Sequence, residues 1–351
     1  MRAIAMVGAQ VRWAAALVIS ACTCPPAASR PTATSSLTFV IDSVSFARAD
    51  PGQSTFGFDM DSRASGFSLD PAACGQEDYY SLTDPDFNCR DPVNNRCVSP
   101  AHCPNEACRA GERGCAGSVD NGFDALVRDI DVIGSGPSLG DHIASSIRGK
   151  RTVLLLSVSG IDDLEADSDV TIRLARGFAD FATNCDGSEP LRVYQVDQAS
   201  LAPPGSGIDD ALLVAHGRIE RGRLAAIFDP STVSDWTFVR SDGANPLLLH
   251  ARAIRLRGDI SESGIARGNL GAIVDAGSIA TWSALPDSVR SLVLSDIDLP
   301  VGGACSGDGI VDHPHGEFSF GVGFDAISAT IRADQPVAAA AAVGSCSSPH
   351  P

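Results

Sequence analysis

Between residues 120 and 150, apolar side chains recur every three or four positions: Phe123, Val127, Ile130 and Ile133, then Leu139, Ile143 and Ile147. That interval places each set on one face of a helix. Two helices are therefore predicted, one behind Asp120 and a second that Ser138 caps and Gly149 ends, together a helical hairpin. From residue 152 the interval shortens to two. "TVLLLSVS" (152–159) is an apolar run of strand length, and "VTIRLA" (170–175) alternates Val170, Ile172 and Leu174 with Thr171 and Arg173. Such alternation implies a sheet with one buried face. Further strands are predicted at 37–46, 191–197, 211–228, 235–240, 247–257, 264–274, 289–298 and 317–332. In "LLLHARAIRLRGDI" the polar positions fall first on His250 and Arg252, then on Arg255 and Arg257. The alternation loses its phase, which predicts a bulge or sharp bend near Ala253.

These elements imply a mainly β fold, with antiparallel sheets in a β-sandwich or jelly-roll-like arrangement beside the short helical hairpin. "IERGRLAAIFD" (219–229) and "IARGNLGAIVD" (265–275) repeat Ile, Arg, Gly, Leu, Ala, Ile and Asp at seven of eleven positions. Alternation puts Leu224 with Ala226, and Leu270 with Ala272, on one strand face. A glycine two residues before each leucine suits a bulge or close backbone approach. Two copies are too few for a repeat fold, so both read as scaffold strands.

The start of the chain bears on its compartment. Arg2 and Arg12 precede an apolar run from Trp13 to Ile19, well short of the about 20 residues that cross a bilayer. Residues 1–21 read as a signal segment. Its end, Ile19-Ser20-Ala21-Cys22, resembles the lipobox of bacterial lipoproteins, which implies lipidation of Cys22. Thr23 follows, where lipoproteins retained at the inner membrane of enteric bacteria carry aspartate. The expected location is the outer membrane or cell surface. Residues 22–36, rich in Pro, Ala, Ser and Thr, form an extended tether. Residues 37–351 are left as one β-rich domain with a cysteine-rich insertion at 71–118.

That insertion holds Cys74, Cys89, Cys97, Cys103, Cys108 and Cys115 with little apolar patterning, so burial alone does not offset its ordering entropy. Three disulfides are predicted, with 15 possible connectivities. Zinc is the competing reading. The gaps of 14, 7, 5, 4 and 6 residues contain no Cys-x-x-Cys knuckle, and disulfides are preferred. A Cys305 to Cys346 bond is expected to close the C-terminal region, leaving Cys185 or Cys24 free.

Charge narrows the partners. With 26 Lys and Arg against 43 Asp and Glu the net charge is −17, and removal of the signal makes it more negative. Such a surface repels phosphate backbones, so nucleic acid is excluded as an expected partner. Lys150 is the sole lysine and sits at a predicted helix end, where a cation complements the dipole.

"FGFDMDSR", the cysteine lobe, "SVDNGFDAL", "VSGIDDLEADSDVTIRLARG" and "FSFGVGFDAISATI" together resemble a group of predicted lipoproteins from myxobacteria and their relatives. The blocks match at Asp59, Asp61, Asp120, Asn121, Asp162, Asp163 and Gly323. The resemblance implies an exported, anchored domain and carries no activity with it.

Candidate chemistry is sparse. Gly136-Pro137-Ser138-Leu139-Gly140 satisfies the G-x-S-x-G pattern of a nucleophile elbow, but a helix precedes it where an elbow follows a strand. Ser138 is read as a helix cap. Asp162, Asp163, Glu165, Asp167 and Asp169 lie between two strands and offer the hard oxygen ligands that calcium takes. The EF-hand glycine and terminal glutamate are missing, and a solvated acidic hairpin is the preferred reading of the loop. Asp312, His313, His315 and Glu317 form a second candidate metal set, in a loop where histidines are commonly only solvated. Two functions remain. The preferred one is an envelope-anchored lipoprotein whose β-rich domain binds glycan or protein or serves a structural role; the other is an extracytoplasmic hydrolase, metal-dependent or serine-based.

Overall fold

The computed structural model describes residues 35–48, 54–58, 60, 80–81, 121–133, 138–180, 193–203, 205, 207–239, 246–283, 285, 290 and 316–337. In chain order the elements are β1 (Ser35–Ser45), β2 (Ser54–Thr55), β3 (Tyr80–Ser81), α1 (Gly122–Ile133), α2 (Leu139–Arg148), β4 (Val153–Ile161) and β5 (Ala166–Ala179). There follow β6 (Val193–Asp197), β7 (Leu213–Glu220), β8 (Arg223–Ile227), β9 (Ser234–Phe238), β10 (Leu247–Ser261), β11 (Gly264–Asp275), α3 (Ala276–Ala280), β12 (Glu317–Ser328) and β13 (Thr330–Val337). All eleven cysteines lie outside the described residues, as do Asp312, His313 and His315 and nearly all of the strand predicted at 289–298.

Eight strands, β1, β4, β5, β7, β8, β10, β11 and β12, pair antiparallel in that order, and β12 pairs back onto β1. The result is a closed up-and-down barrel, not the sandwich or jelly roll that the alternation suggested. Sandwich and barrel demand the same alternation, and the difference lies in whether the first and last strands meet. Bulges supply the curvature. Register shifts occur at Ile41/Ser43, Asp167/Val170, Arg252/Arg255, Arg257/Asp259 and Ile265/Gly268, each adding twist where the wall must coil.

The bulge predicted near Ala253 is one of these. Ala253 has φ +50°, and the inward set changes there from Leu247, Leu249 and Ala251 to Ile254, Leu256 and Ile260. The same strand changes partner at this point. Its first half pairs with β9 and its second half with β8. The 219–229 and 265–275 echo also resolves. Arg221 and Arg267 occupy equivalent positions with φ +55° and +50°, one turning the β7–β8 hairpin and the other forming a bulge in β11. Leu224, Ala226, Leu270 and Ala272 all face the core, as the alternation required.

Phe39, Ile41, Leu154, Leu156, Ile172, Leu174, Leu256, Leu270 and Phe320 belong to one buried cluster that fills the barrel. Arg173, His216, Arg218, Arg255 and Arg257 alternate with such residues on the outside. Among the described residues no helix is long and apolar enough to cross a membrane.

Register fixes what lies at each end. β1, β5 and β11 finish, and β4, β10 and β12 begin, at the end where α1, α2 and α3 pack. Phe123, Leu126, Val127 and Ile130 of α1 recur at helical spacing and join the interior cluster. Phe320 lies between Phe123 and Trp236, with ring centroids 4.9 and 5.8 Å away. Asn121 caps α1 by accepting the Asp124 N–H at 3.1 Å. Ser138 caps α2 as predicted, accepting from Asp141 N. Short hairpins close the opposite end: residues 162–165, 221–222 and 262–263.

Two edges remain. β6 pairs with β5 and carries β13 in parallel, and β9 pairs with β10. The outer edge of β9 is occupied by side chains. Thr152 Oγ1 donates to Thr237 O at 2.6 Å, Arg151 Nε to Val239 O at 2.9 Å, and Val239 N to Ser146 Oγ at 2.8 Å. A covered edge of this kind does not template pairing with another chain. β1 begins at Ser35, inside the stretch read as tether, because Ser35 pairs with Ile161 and its hydroxyl donates to that carbonyl at 3.0 Å.

Candidate functional site

A strap crosses the outside of β11 and β12. Asn269 grips Gly57 on both sides, Oδ1 accepting its N–H at 2.9 Å and Nδ2 donating to its carbonyl at 2.6 Å. Asn121 Nδ2 donates to Phe56 O and Gly321 O at 2.7 and 3.0 Å, which ties α1, the strap and β12 together. The wall beneath is paved with glycine. A Cβ on Gly321 would meet Phe56 O at 2.4 Å, one on Gly323 the Phe56 ring at 2.5 Å, and one on Gly271 the Phe58 ring at 2.5 Å. The "FGF" of the sequence block is therefore a packing motif, and it delivers Phe58 to a fixed place.

Phe58 forms one side of a groove of about 420 Å³ on the outer wall, floored by β7, β8 and β10 and reached by Ser168 and Asp169 of β5. Register builds it in rows. Arg218, Ala225 and Arg257 face outward in one row, with the small Ala225 between the two arginines. In the next row Ile227 stands beside Arg255, and His216 follows on β7. Arg257 lies over the Phe58 ring, 5.6 Å from its centroid, which holds the guanidinium against the strap. Glu220 lies 2.9 Å from Arg218 Nε, and Asp169 lies 3.3 Å from His216 Nδ1. Both pairs are largely exposed, so they hold their partners weakly. Cations gather here in a chain of net charge −17.

The acidic residues predicted as calcium ligands stand at the hairpin end of the barrel. Their oxygens turn back into the loop. Asp167 Oδ2 and Oδ1 accept the Asp162 and Asp169 N–H groups at 2.7 and 3.0 Å, and Asp163 Oδ1 accepts Glu165 N at 2.9 Å. Asp169 reaches His216 instead. The backbone donors Asp162 and Asp169 hold the Asp167 carboxyl below its usual range, against a small opposing effect of burial. Among the described residues no three metal-ligating side chains converge.

Glu317, from the second metal set, lies at the helical end and is buried against Arg252, so the two candidate sets do not share a cleft at Glu317. Its Oε1 and Oε2 accept from Arg252 Nε and Nη2 at 3.1 and 2.5 Å. Both oxygens are engaged by a guanidinium, and a carboxylate so held is a structural anion rather than an open ligand. Ser138 is engaged as well: its hydroxyl donates to Asp131 Oδ2 at 2.8 Å and accepts from Arg48 Nη2 at 3.1 Å in addition to Asp141 N. Lys150 reaches Asp42 at 2.6 Å, a tertiary role beyond complementing a helix end.

Sequence reasoning took Arg255 and Arg257 only as polar positions of a strand and did not single out Phe58, His216 or Arg218. A signal was present in the outward arginines at alternate positions of β10, but only the register of β7, β8 and β10 shows that these side chains meet. No protein-family model matches the chain, and no match is found among curated proteins or solved structures.

Proposed function

We propose that the chain is an exported bacterial lipoprotein, anchored through Cys22 at the outer membrane or cell surface, whose barrel binds an envelope glycan or protein on its outer wall. The observation that carries the binding role is the groove, where Arg218, Arg255 and Arg257 collect beside Phe58 while apolar side chains fill the interior. The anchor is supported by Ile19-Ser20-Ala21-Cys22. In the same reading Cys74, Cys89, Cys97, Cys103, Cys108 and Cys115 pair as three disulfides, and Cys305 bonds Cys346. A hydrolase would draw on Ser138 or on the segment ending at Glu317, and both of those side chains already serve the fold.

Two experiments test the proposal. Cys22→Ser releases the protein from the membrane fraction, and the wild type takes up labelled fatty acid. Continued membrane association of the variant, with no lipid uptake by the wild type, removes the anchor. For binding, the soluble Cys22→Ser chain co-sediments with isolated, delipidated envelope fragments. Adding Ala225→Trp, which fills the groove, or Arg218→Glu, at an exposed position, abolishes co-sedimentation. Retention unchanged in both variants removes the groove as the binding site.

A further inference from the structure

We draw no further inference here: the strongest candidate, the exposed aliphatic surface patch of Leu212, Val214, Ile227 and Val233 on and beside β7 and β8, carries nothing because nothing in the structure shows what covers it.

Discussion

Arg252 and Glu317 hold each other through two hydrogen bonds in a fully buried pair that links β10 to the start of β12. Ile273, the cross-strand partner of Arg252, is buried with Met60 and Ala253, so the pair sits beside an apolar cluster on the outer face of the wall. Two charges in such a place are stable only together. Glu317→Gln or Arg252→Met is expected to cost about 3–5 kcal/mol, because each breaks a buried, doubly hydrogen-bonded ion pair. The double variant Arg252→Met/Glu317→Leu is expected to recover most of the loss. Chemical denaturation of the three variants checks this, and a double variant as unstable as the singles would contradict it.

The strap is expected to be sensitive at Gly321. A methyl group there meets the Phe56 carbonyl and the Gly57 Cα at 2.4 and 2.6 Å, so strap or wall must shift. Gly321→Ala is expected to destabilise by about 1–3 kcal/mol, the usual cost of overpacking. Because Phe58 rides on the strap, the same variant weakens retention of envelope fragments. Stability measured by denaturant and co-sedimentation measured in parallel should fall together.

At Ala253 the backbone is left-handed, with φ +50°. A β-branched side chain resists that conformation. Ala253→Val is expected to lose about 1–3 kcal/mol through strain, whereas Ala253→Gly, which favours this conformation, loses little. Equal losses in the two variants would mean that packing of the Ala253 methyl group, not backbone conformation, dominates the site.

Asp167 gives the acidic hairpin a pH signature. Its carboxyl titrates below the ordinary value of 3.8 because Asp162 N–H and Asp169 N–H donate to the charged form. A depressed folded-state pKa means that the contribution is complete above 3.8 and is lost as pH falls through the folded value. The gap in Tm between wild type and Asp167→Ala is therefore expected to shrink as pH falls from about 5 to about 2. A constant gap would show that the loop hydrogen bonds do not depend on the charge.

The same geometry predicts the response to calcium. Both Asp167 oxygens and Asp163 Oδ1 are already used by backbone N–H groups of the loop. Millimolar calcium is expected to leave the melting temperature of wild type, Asp163→Asn and Asp167→Asn unchanged. A calcium-dependent rise in the wild type that disappears in Asp167→Asn would show that the loop opens to bind the ion.

Helices α1 and α2 and the buried faces of the strands were legible from local pattern, although the run read as one strand at 211–228 folds as β7 and β8, and the one at 317–332 as β12 and the start of β13. Leu224 with Ala226, Leu270 with Ala272, the cap at Ser138 and the loss of phase at Ala253 were legible because each depends on residues a few positions apart. Side-chain period, capping chemistry and φ preference are local properties. The tertiary structure alone decided closure, since β1 meets β12 and β5 meets β7 through pairings that join distant parts of the chain. It also decided which charges meet. Arg218 and Arg257 are 39 positions apart in the chain and become neighbours across Ala225 only through the register of three strands. Glu317 reads in the sequence as a partner of His313 and His315, and only the fold sets Arg252 against it. Local pattern specifies what each segment can bury, while a site is made of outward positions whose identities the core does not constrain.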